Sequence, residues 1–197
     1  SFLAKCGTVR PRGKKSSMAI YHLRVKFVKR GAGRSSVAAA AYRSGTKLTD
    51  ERRGTVEDYS RKRDIEHSEI LLPENMPVAF QDREVLWNAI ETGIKHPRAQ
   101  PAFEVEVALP RELDKEQCAQ LVREFAQDNF VAKGLPVDFA IHRTPASDGG
   151  EHPHAHILVS TRRFGEDGSI GKAARDLQDN PKLVAKVYVL EEEGKID

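Results

Sequence analysis

Two segments decide the fold of this chain: Val137-Asp-Phe-Ala-Ile-His142 and Glu151-His-Pro-His-Ala-His-Ile-Leu-Val-Ser160. The first segment ends in histidine, and the second has three histidines before an Ile-Leu-Val run; a Pro-Ala-Ser-Asp-Gly-Gly turn lies between them. This pattern predicts two neighbouring antiparallel strands. Because side chains alternate between the faces of a strand, His154 and His156 lie on one face, and His142 on the partner strand can join them.

Three imidazoles on one sheet face predict a metal site. A three-histidine site leaves coordination positions open, which is the layout of a metal that polarises a substrate rather than one that only holds a fold. His152 has the same parity as the pair. Pro153 and the preceding Asp-Gly-Gly-Glu place it in the turn, so we do not expect it to be a ligand.

Length and composition are those of a soluble globular domain. The chain has 197 residues, of which 39% are hydrophobic and 31% charged. No apolar run approaches the ~20 residues of a membrane span, and the first residues do not have the apolar core of a secretory signal. The two cysteines, Cys6 and Cys118, are too few for a disulfide framework or a zinc cluster, so we expect a reducing cytoplasm.

The net charge of +3 hides a strong asymmetry along the chain. Residues 1–63 hold 17 of the 32 Lys and Arg but only four acids, which makes this part +13 and the remainder −10. Such asymmetry favours a polyanionic partner, and nucleic acid is the natural choice for bases spread over folded segments.

Hydrophobic periodicity predicts the element order β-α-β-α-β-α-β-β. The fold class is α+β: an antiparallel-rich central sheet of about five strands with helices packed on one face, in two layers. The other face then carries the site. The predicted elements are a strand over 20–29, a helix over 37–44 capped by Ser35 or Ser36 and ended by Gly45, a polar loop over 46–64, a strand over 68–73, a helix over 82–95, a strand over 102–109, a helix from Asp114 to Gly134, and the two histidine strands.

Tyr42 is the candidate nucleophile. It follows four alanines, so its ring dominates that surface of the helix, and Arg34 and Arg43 flank it. A helical tyrosine more often packs into a core. In a basic segment of a protein with a three-histidine metal site, it becomes the natural nucleophile for phosphoryl transfer.

Four segments together resemble the relaxase domain of MobA/MobL-type (MOBQ) plasmid mobilisation proteins, which are HUH endonucleases. They are Met18-Ala-Ile-Tyr-His-Leu, Arg34-Ser-Ser-Val-Ala-Ala-Ala-Ala-Tyr42-Arg-Ser, Tyr59-Ser followed by Ser68-Glu-Ile-Leu-Leu-Pro73, and Pro153-His-Ala-His156. The resemblance covers residues 18–165. Residues 1–17 are then a disordered basic arm, native or added upstream, and 166–197 an extension or a link to a further region.

The resemblance implies a role for each matched residue. Tyr42 corresponds to the nucleophile, and His142, His154 and His156 correspond to the ligands of a divalent metal, Mn or Mg in function, with Zn, Ni or Co possible. Glu104 corresponds to a carboxylate near the metal, although Glu106 has the same parity and can serve instead. The departure from the family pattern is the long interval between His142 and His154.

The resemblance also implies the reaction and the partners. The enzyme nicks single-stranded DNA at a plasmid origin of transfer, joins Tyr42 to the 5′ phosphate and later rejoins the strand. Other relaxosome or coupling proteins, a monomeric state and the bacterial cytoplasm are further expectations. The expected phosphate contacts come from basic side chains, which are Arg24, Lys26, Arg34, Arg43 and Arg162, with Arg61, Lys62, Arg63 and Arg163 as additional candidates.

Three alternatives remain. A rolling-circle replication initiator shares the HUH chemistry, but initiators usually place the histidines before the tyrosine. A non-catalytic single-strand-binding α+β module would expose aromatic residues on its central strands, whereas these strands carry His and Glu. A zinc hydrolase of the His-Glu-x-x-His type is excluded because that motif is absent.

Overall fold

The computed structural model describes residues 23–175. In this range three helices and nine strands follow one another along the chain, and short 3-10 turns lie between some of them. The elements are β1 (Leu23–Val28), α1 (Ser36–Ser44), β2 (Lys47–Asp50), β3 (Thr55–Asp58), β4 (Ile65–Leu71), α2 (Arg83–Gly93), β5 (Ala102–Ala108), α3 (Lys115–Asn129), β6 (Val137–Pro145), β7 (Glu151–Ser160), β8 (Arg162–Phe164) and β9 (Ile170–Ala173).

The central sheet has five strands in the order β1-β5-β7-β6-β4, and every neighbouring pair is antiparallel. β6 and β7 form the predicted hairpin, with His142 directly opposite His154. Two small two-stranded sheets, β2-β3 and β8-β9, lie outside it. The α+β class, the antiparallel five-stranded sheet and the three helices are therefore confirmed.

The helix ends follow their capping residues. The Ser35 side chain accepts hydrogen bonds from the first turn of α1, and Gly45 ends this helix in the left-handed conformation, as predicted. Asp114 and Gln117 form a capping box at the start of α3. These local signals fix where α1 ends, and so where Tyr42 and Arg43 stand relative to the sheet.

One sheet face packs against α3 and forms the larger core. The odd-numbered residues of β5, β6 and β7 point to this side, and the buried face of α3 meets them, with Leu121, Val122 and Phe125 at the centre. Cys118 belongs to this core as a buried free thiol. The core accounts for the alternation that predicted the strands, because every second residue must be apolar to fill it.

The helices do not all pack on one face, so that part of the predicted fold is wrong. α1 and α2 cover the opposite face, where their Val37, Leu86, Trp87 and Ile90 form a second core with Leu158 of β7. The physical reason is that most polar side chains of this face lie toward its histidine end. At the other end it carries a group of apolar residues, which water would otherwise contact; these are Val28, Ile70, Ala102 and Leu158.

The sequence predicts a loop over 46–64, and this prediction is wrong, because the segment contains the hairpin β2-β3. Its strands have four residues each, and only Leu48 and Asp50 in β2 are buried. Such short, polar strands have no periodicity that a sequence can display. The hairpin packs on α1 and α2 and brings residues 59–64 back to the end of α1.

β7 begins at Glu151, so His152 lies in the strand, opposite Thr144, and not in the turn as predicted. Proline has no N–H to donate to a neighbouring strand. Its carbonyl still accepts a hydrogen bond from the Leu109 N–H at 2.9 Å, and the strand continues through Pro153. The sequence also indicates a strand or a short helix over 184–190. This segment, the arm 1–17, the strand start at residues 20–22 and Cys6 lie outside the described residues. Between residues 23 and 175 no helix is long and apolar enough to cross a membrane.

Candidate metal and nuclease site

The three predicted histidines meet on the face that α1 and α2 partly cover. The ring centroids of His142 and His156 are 4.7 Å apart, those of His154 and His156 are 5.1 Å apart, and those of His142 and His154 are 5.5 Å apart. One nitrogen of each ring lies within 4.8 Å of the others. Strand alternation and the direct pairing of β6 with β7 produce this cluster.

Hydrogen bonds fix the tautomers of His154 and His156. His154 Nδ1 lies 3.0 Å from the His152 carbonyl oxygen, and His156 Nδ1 lies 3.2 Å from Glu104 Oε1. Both partners are acceptors, so each Nδ1 carries the hydrogen and donates it. The Nε2 lone pair of each ring is then left for a metal. A carboxylate or carbonyl behind the ring is the usual arrangement at metal-binding histidines.

His142 is held by α1 and stays neutral. Its Nε2 donates to the Arg43 carbonyl oxygen at 2.7 Å, and its Nδ1 lies 3.6 Å from Asp64 Oδ2. Burial lowers the pKa of His142 to about 4, and the bond to Arg43 only partly opposes that effect. Burial likewise lowers the pKa of His154. Neutral rings at physiological pH are the form that binds a metal ion.

The two candidate carboxylates have different surroundings. Glu104 is only 3% exposed and accepts hydrogen bonds from His156 and from the guanidinium of Arg43. Burial raises its pKa, but the bonds from His156 and Arg43 outweigh burial and lower the pKa to about 2. Glu106 lies on the same face, where Lys26 Nζ is 3.5 Å from it.

The two carboxylates also form a second group with His156, in which one ligand atom of each residue lies within 4.8 Å of the others. Glu104 therefore orients His156, whereas Glu106 has more of its hydrogen-bonding capacity left unused. The sequence could not separate them, because they share one parity on one strand.

His152 stands beside the cluster without belonging to it. Its ring stacks on that of His154, with centroids 5.1 Å apart and an interplanar angle of 29°, but its nitrogens are not in the group of three. Its backbone carbonyl is what orients His154. Because His152 lies in β7, two residues before His154 on the same face, its ring lies beyond that of His154 as seen from His156.

Tyr42 lies on the last turn of α1 and is 42% exposed. Tyr59 packs edge-on against its ring, with centroids 5.2 Å apart, and Lys62 Nζ lies 3.9 Å from the ring centroid. The next residue, Arg43, bonds His142 through its carbonyl and Glu104 through its side chain. The tyrosine is therefore the immediate chain neighbour of a residue that contacts one histidine directly and also contacts Glu104, the hydrogen-bond partner of His156.

Four of the five predicted DNA-binding residues line two cavities. Arg34, Lys26 and Arg43 line an open groove of about 590 Å³ that lies beside α1 and extends to Arg53, Tyr59 and Glu104. Arg24 borders a smaller hollow of about 330 Å³ on the other side of the histidines, together with His152 and His154. Both cavities therefore adjoin the histidine cluster and carry basic side chains.

Arg162 lies away from this site. It follows β7 beyond Ser160, which pairs with Ala102 at the end of the sheet remote from His154, and its guanidinium bonds the Gly171 carbonyl at 3.4 Å. Arg43 is committed to Glu104, so it is less free to contact a phosphate than the sequence suggested.

The sequence analysis gave no role to Asp64; it used Tyr59 only for the family resemblance and treated Lys62 only as a candidate for phosphate contacts. The hairpin brings all three to the tyrosine and to His142. The polar segment that carries them has no pattern from which their position could be predicted.

Comparison with known proteins gives concordant results. The sequence profile described as the MobA/MobL family matches residues 34–195. The "Probable mobilization protein MobA" of Bifidobacterium longum is 38% identical over 180 residues, which cover 90% of this chain and 30% of that protein. The "Mobilization protein MobL" of Acidithiobacillus ferridurans is 38% identical over 181 residues, covering 81% of this chain and 47% of that protein.

A solved structure has the same fold. It is described as "Molecular Basis of Vancomycin Resistance Transfer in Staphylococcus aureus" and superposes with a TM-score of 0.71 at 34% identity, over 78% of this chain and 76% of the other. The chain spans less than half the length of the two curated relatives.

Proposed function

The chain belongs to the MobA/MobL family, and we propose that it is a relaxase domain that nicks single-stranded DNA at a plasmid origin of transfer. The observation that carries this proposal is the cluster of His142, His154 and His156 beside the helix that presents Tyr42. The names of the relatives are those of mobilisation proteins, and this supports an origin of transfer as the substrate.

The three histidines fit a divalent cation. One nitrogen of each ring lies within 4.8 Å of the others, and two of the rings have Nδ1 bonded to a fixed acceptor, which leaves their Nε2 lone pairs for a cation. Imidazole ligands suit Zn, Ni, Co or Mn, and the phosphate substrate favours a harder ion, so Mn²⁺ or Mg²⁺ is proposed in function. A bound cation would supply positive charge to the non-bridging oxygens of the scissile phosphate, which become more negative in the transition state.

Tyr42 is the proposed nucleophile, and the chemistry is a transesterification. Its Oη bonds to the phosphorus, the bond from phosphorus to the 3′ oxygen breaks, and the phenolic proton ends on that oxygen. The products are a 5′-phosphotyrosine and a free 3′-OH. Because the phosphotyrosine preserves an ester, a 3′-OH can attack it and restore the strand, so the enzyme is a strand transferase rather than a hydrolase.

The basic groove beside α1 is the proposed path of the DNA strand. Arg34 and Arg53 line it together with Lys26, and Tyr59 offers a ring at its end toward Tyr42. Basic side chains that follow the backbone and an aromatic surface for a base are the usual elements of single-strand binding. Arg24 extends the positive charge to the other side of the histidines.

Neither alternative reading has an observation that favours it. A replication initiator would share the chemistry, but the similar proteins are named for mobilisation and conjugal transfer. A non-catalytic binding module would not need three histidines held together on one sheet face, with one of them, His142, buried.

The test is the formation of a covalent adduct. The protein is incubated with Mn²⁺ and labelled single-stranded oligonucleotides that tile both strands of the DNA flanking its gene, and an adduct that survives denaturing electrophoresis is scored. We expect one oligonucleotide to be cleaved and attached. Tyr42→Phe should lose the adduct and bind the oligonucleotide within a few-fold, whereas Tyr59→Phe should keep it. An adduct on the Tyr42→Phe variant would refute this site.

A further inference from the structure

Two cations lie over the ring of Tyr42 among the residues that the structure describes. Lys62 Nζ is 3.9 Å from the ring centroid, and Arg43 Cζ is 4.8 Å from it. The Lys62 side chain is only 19% exposed, so water screens its charge less than that of a lysine on an open surface.

The two cations differ in the anions they contact. The Arg43 guanidinium makes a charge-assisted hydrogen bond to the buried carboxylate of Glu104, and this pairing neutralises its charge. The carboxylate recorded nearest Lys62 is Asp64, whose Oδ2 is 3.9 Å from Nζ, beyond the distance of a hydrogen bond. The positive charge left at the Tyr42 ring therefore comes mainly from Lys62.

The backbone holds Lys62 against the tyrosine. Its N–H donates to the Tyr59 carbonyl at 3.0 Å, and the Tyr59 N–H donates to the Thr46 carbonyl at 3.1 Å. Thr46 directly follows Gly45, the residue that ends α1. The hairpin thus returns to the same helix end that carries Tyr42, and Lys62 is positioned by the fold rather than by a flexible loop.

We propose that Lys62 is a catalytic residue that stabilises the Tyr42 phenolate when the strand is rejoined; this rests on the proposed function. In that step the oxygen of a DNA 3′-OH bonds to phosphorus, and the bond between phosphorus and Tyr42 Oη breaks. The electron pair of the broken bond goes to the phenolate, and the proton of the 3′-OH ends on Oη. The step needs no further reactant.

The geometry suits this role because the phenolate shares its negative charge with the ring. An ammonium group over an aromatic face already attracts a neutral phenol, and the attraction grows as the ring gains charge in a partly buried place. The interaction is thus stronger in the transition state than in the phosphotyrosine, which is the condition for acceleration. Cleavage passes through the same transition state, so it benefits as well.

The first experiment compares Lys62→Met, which keeps the length but not the charge, with Lys62→Arg, which keeps the charge. The adduct is formed and isolated, a saturating 3′-OH oligonucleotide is added, and the single-turnover rate of rejoining is measured. We expect Lys62→Met to be slower by about tenfold or more and Lys62→Arg to stay within about threefold. Lys47→Met, which removes a cation from β2 that pairs with Asp58, should match the wild type.

The second experiment changes the ring. When 3,5-difluorotyrosine replaces Tyr42, fluorine withdraws electrons and the phenolate needs less help, so the rate defect of Lys62→Met should shrink to about threefold or less. A merely structural lysine, or one that only contacts a phosphate, would leave that defect unchanged.

Each outcome has one meaning. If Lys62→Met rejoins at the wild-type rate, or is restored by more oligonucleotide, the inference is wrong while the Tyr42 adduct still supports the proposed function. If the defect is the same with tyrosine and difluorotyrosine, Lys62 does not act on the phenolate. If the wild type forms no Tyr42 adduct at all, the proposed function fails and this inference fails with it.

Discussion

At the scale of single residues, Glu104 shows how a buried carboxylate can hold a histidine of the candidate metal site in place. It takes one hydrogen bond from His156 and one from Arg43 and is buried between them. Its negative charge makes His156 a better donor toward a cation and fixes the ring. Arg43 in turn holds His142 through its carbonyl, so one short path joins the two histidine strands to α1.

Changing Glu104 should separate its role from that of Glu106. Glu104→Gln keeps the size but loses the charge that holds His156 Nδ1–H, so we expect the affinity for Mn²⁺ to fall by about 10- to 100-fold. Glu106→Gln should change it far less, since that residue pairs with Lys26. Electron paramagnetic resonance titration measures both, and a larger loss from Glu106→Gln would assign the metal site to Glu106.

The ligand set itself has a direct test. His142→Ala, His154→Ala and His156→Ala each remove one of three converging rings, and we expect each variant to lose the bound metal and to cleave slower by orders of magnitude. His152→Ala should retain metal, because the carbonyl that orients His154 belongs to the backbone. Metal content by mass spectrometry decides it: loss of metal in His152→Ala with retention in His142→Ala contradicts the set.

At the scale of elements, the end of α1 and the start of β4 are packed so closely that a side chain at the helix end would displace a residue of β4. Gly45 has φ +64°, and a Cβ there would lie 2.1 Å from Ile65 Cδ1. Gly54, near the tip of the β2-β3 hairpin, has a similar φ of +66°, but nothing lies within 4 Å of its Cβ position. The two glycines therefore form a matched pair.

We expect Gly45→Ala to lower the free energy of unfolding by about 2–3 kcal/mol, from backbone strain plus displacement of Ile65. Gly54→Ala has the strain alone and should lower it by about 1 kcal/mol. Urea unfolding measures both. Equal losses from both substitutions would show that the close approach to Ile65 carries no cost.

At the scale of the whole molecule, one buried carboxylate joins four parts of the chain. Glu91 of α2 accepts from Arg30 after β1 at 2.9 Å, from Arg52 of the hairpin turn at 2.8 Å, and from the N–H and hydroxyl of Ser36 at 2.7 Å. This network fixes the start of α1, just as the contacts of Gly45 fix its end. The orientation of Tyr42 therefore depends on residues remote from the site.

Glu91 should make stability depend on acid. Burial raises its pKa, but the bonds from Ser36 and Arg30 outweigh burial and hold the pKa below the ordinary 4.5. Its contribution is thus fully present above that value and is lost as the pH falls through the lower, folded pKa. Urea unfolding from pH 7 downward should show Glu91→Gln less stable at pH 7 and less sensitive to acid. If the stability of the variant and that of the wild type fell in parallel with pH, Glu91 would be excluded as a source of the acid sensitivity.

The proposed DNA path predicts different salt dependences at the two ends of the sheet. Arg34 lines the groove beside α1, whereas Arg162 bonds Gly171 beyond the far end of β7. Arg34→Ala should lower the log–log slope of single-strand affinity against salt by about 0.7, the value of one lost phosphate contact. Arg162→Ala should leave the slope unchanged. The reverse result, measured by fluorescence anisotropy, would move the DNA to the other end.

The sequence by itself determined the local features of this protein. Strand alternation placed His154 and His156 on one face, and β-branched runs on both sides of a Gly-rich turn predicted the β6-β7 hairpin that adds His142. Ser35, Gly45 and Asp114 marked helix ends where the structure has them. These features were predictable because each depends on residues only a few positions apart, whose geometry the backbone period sets.

Only the tertiary structure decided how those pieces meet. The coverage of both sheet faces, the hairpin in 47–58, the different surroundings of Glu104 and Glu106, and the place of Lys62 over Tyr42 all rest on contacts between residues far apart in sequence. Glu104 and Glu106 are equivalent until α1 brings Arg43 to one of them. A non-local contact has no period to display, because burial and hydrogen bonding are satisfied jointly by several segments and by none of them alone.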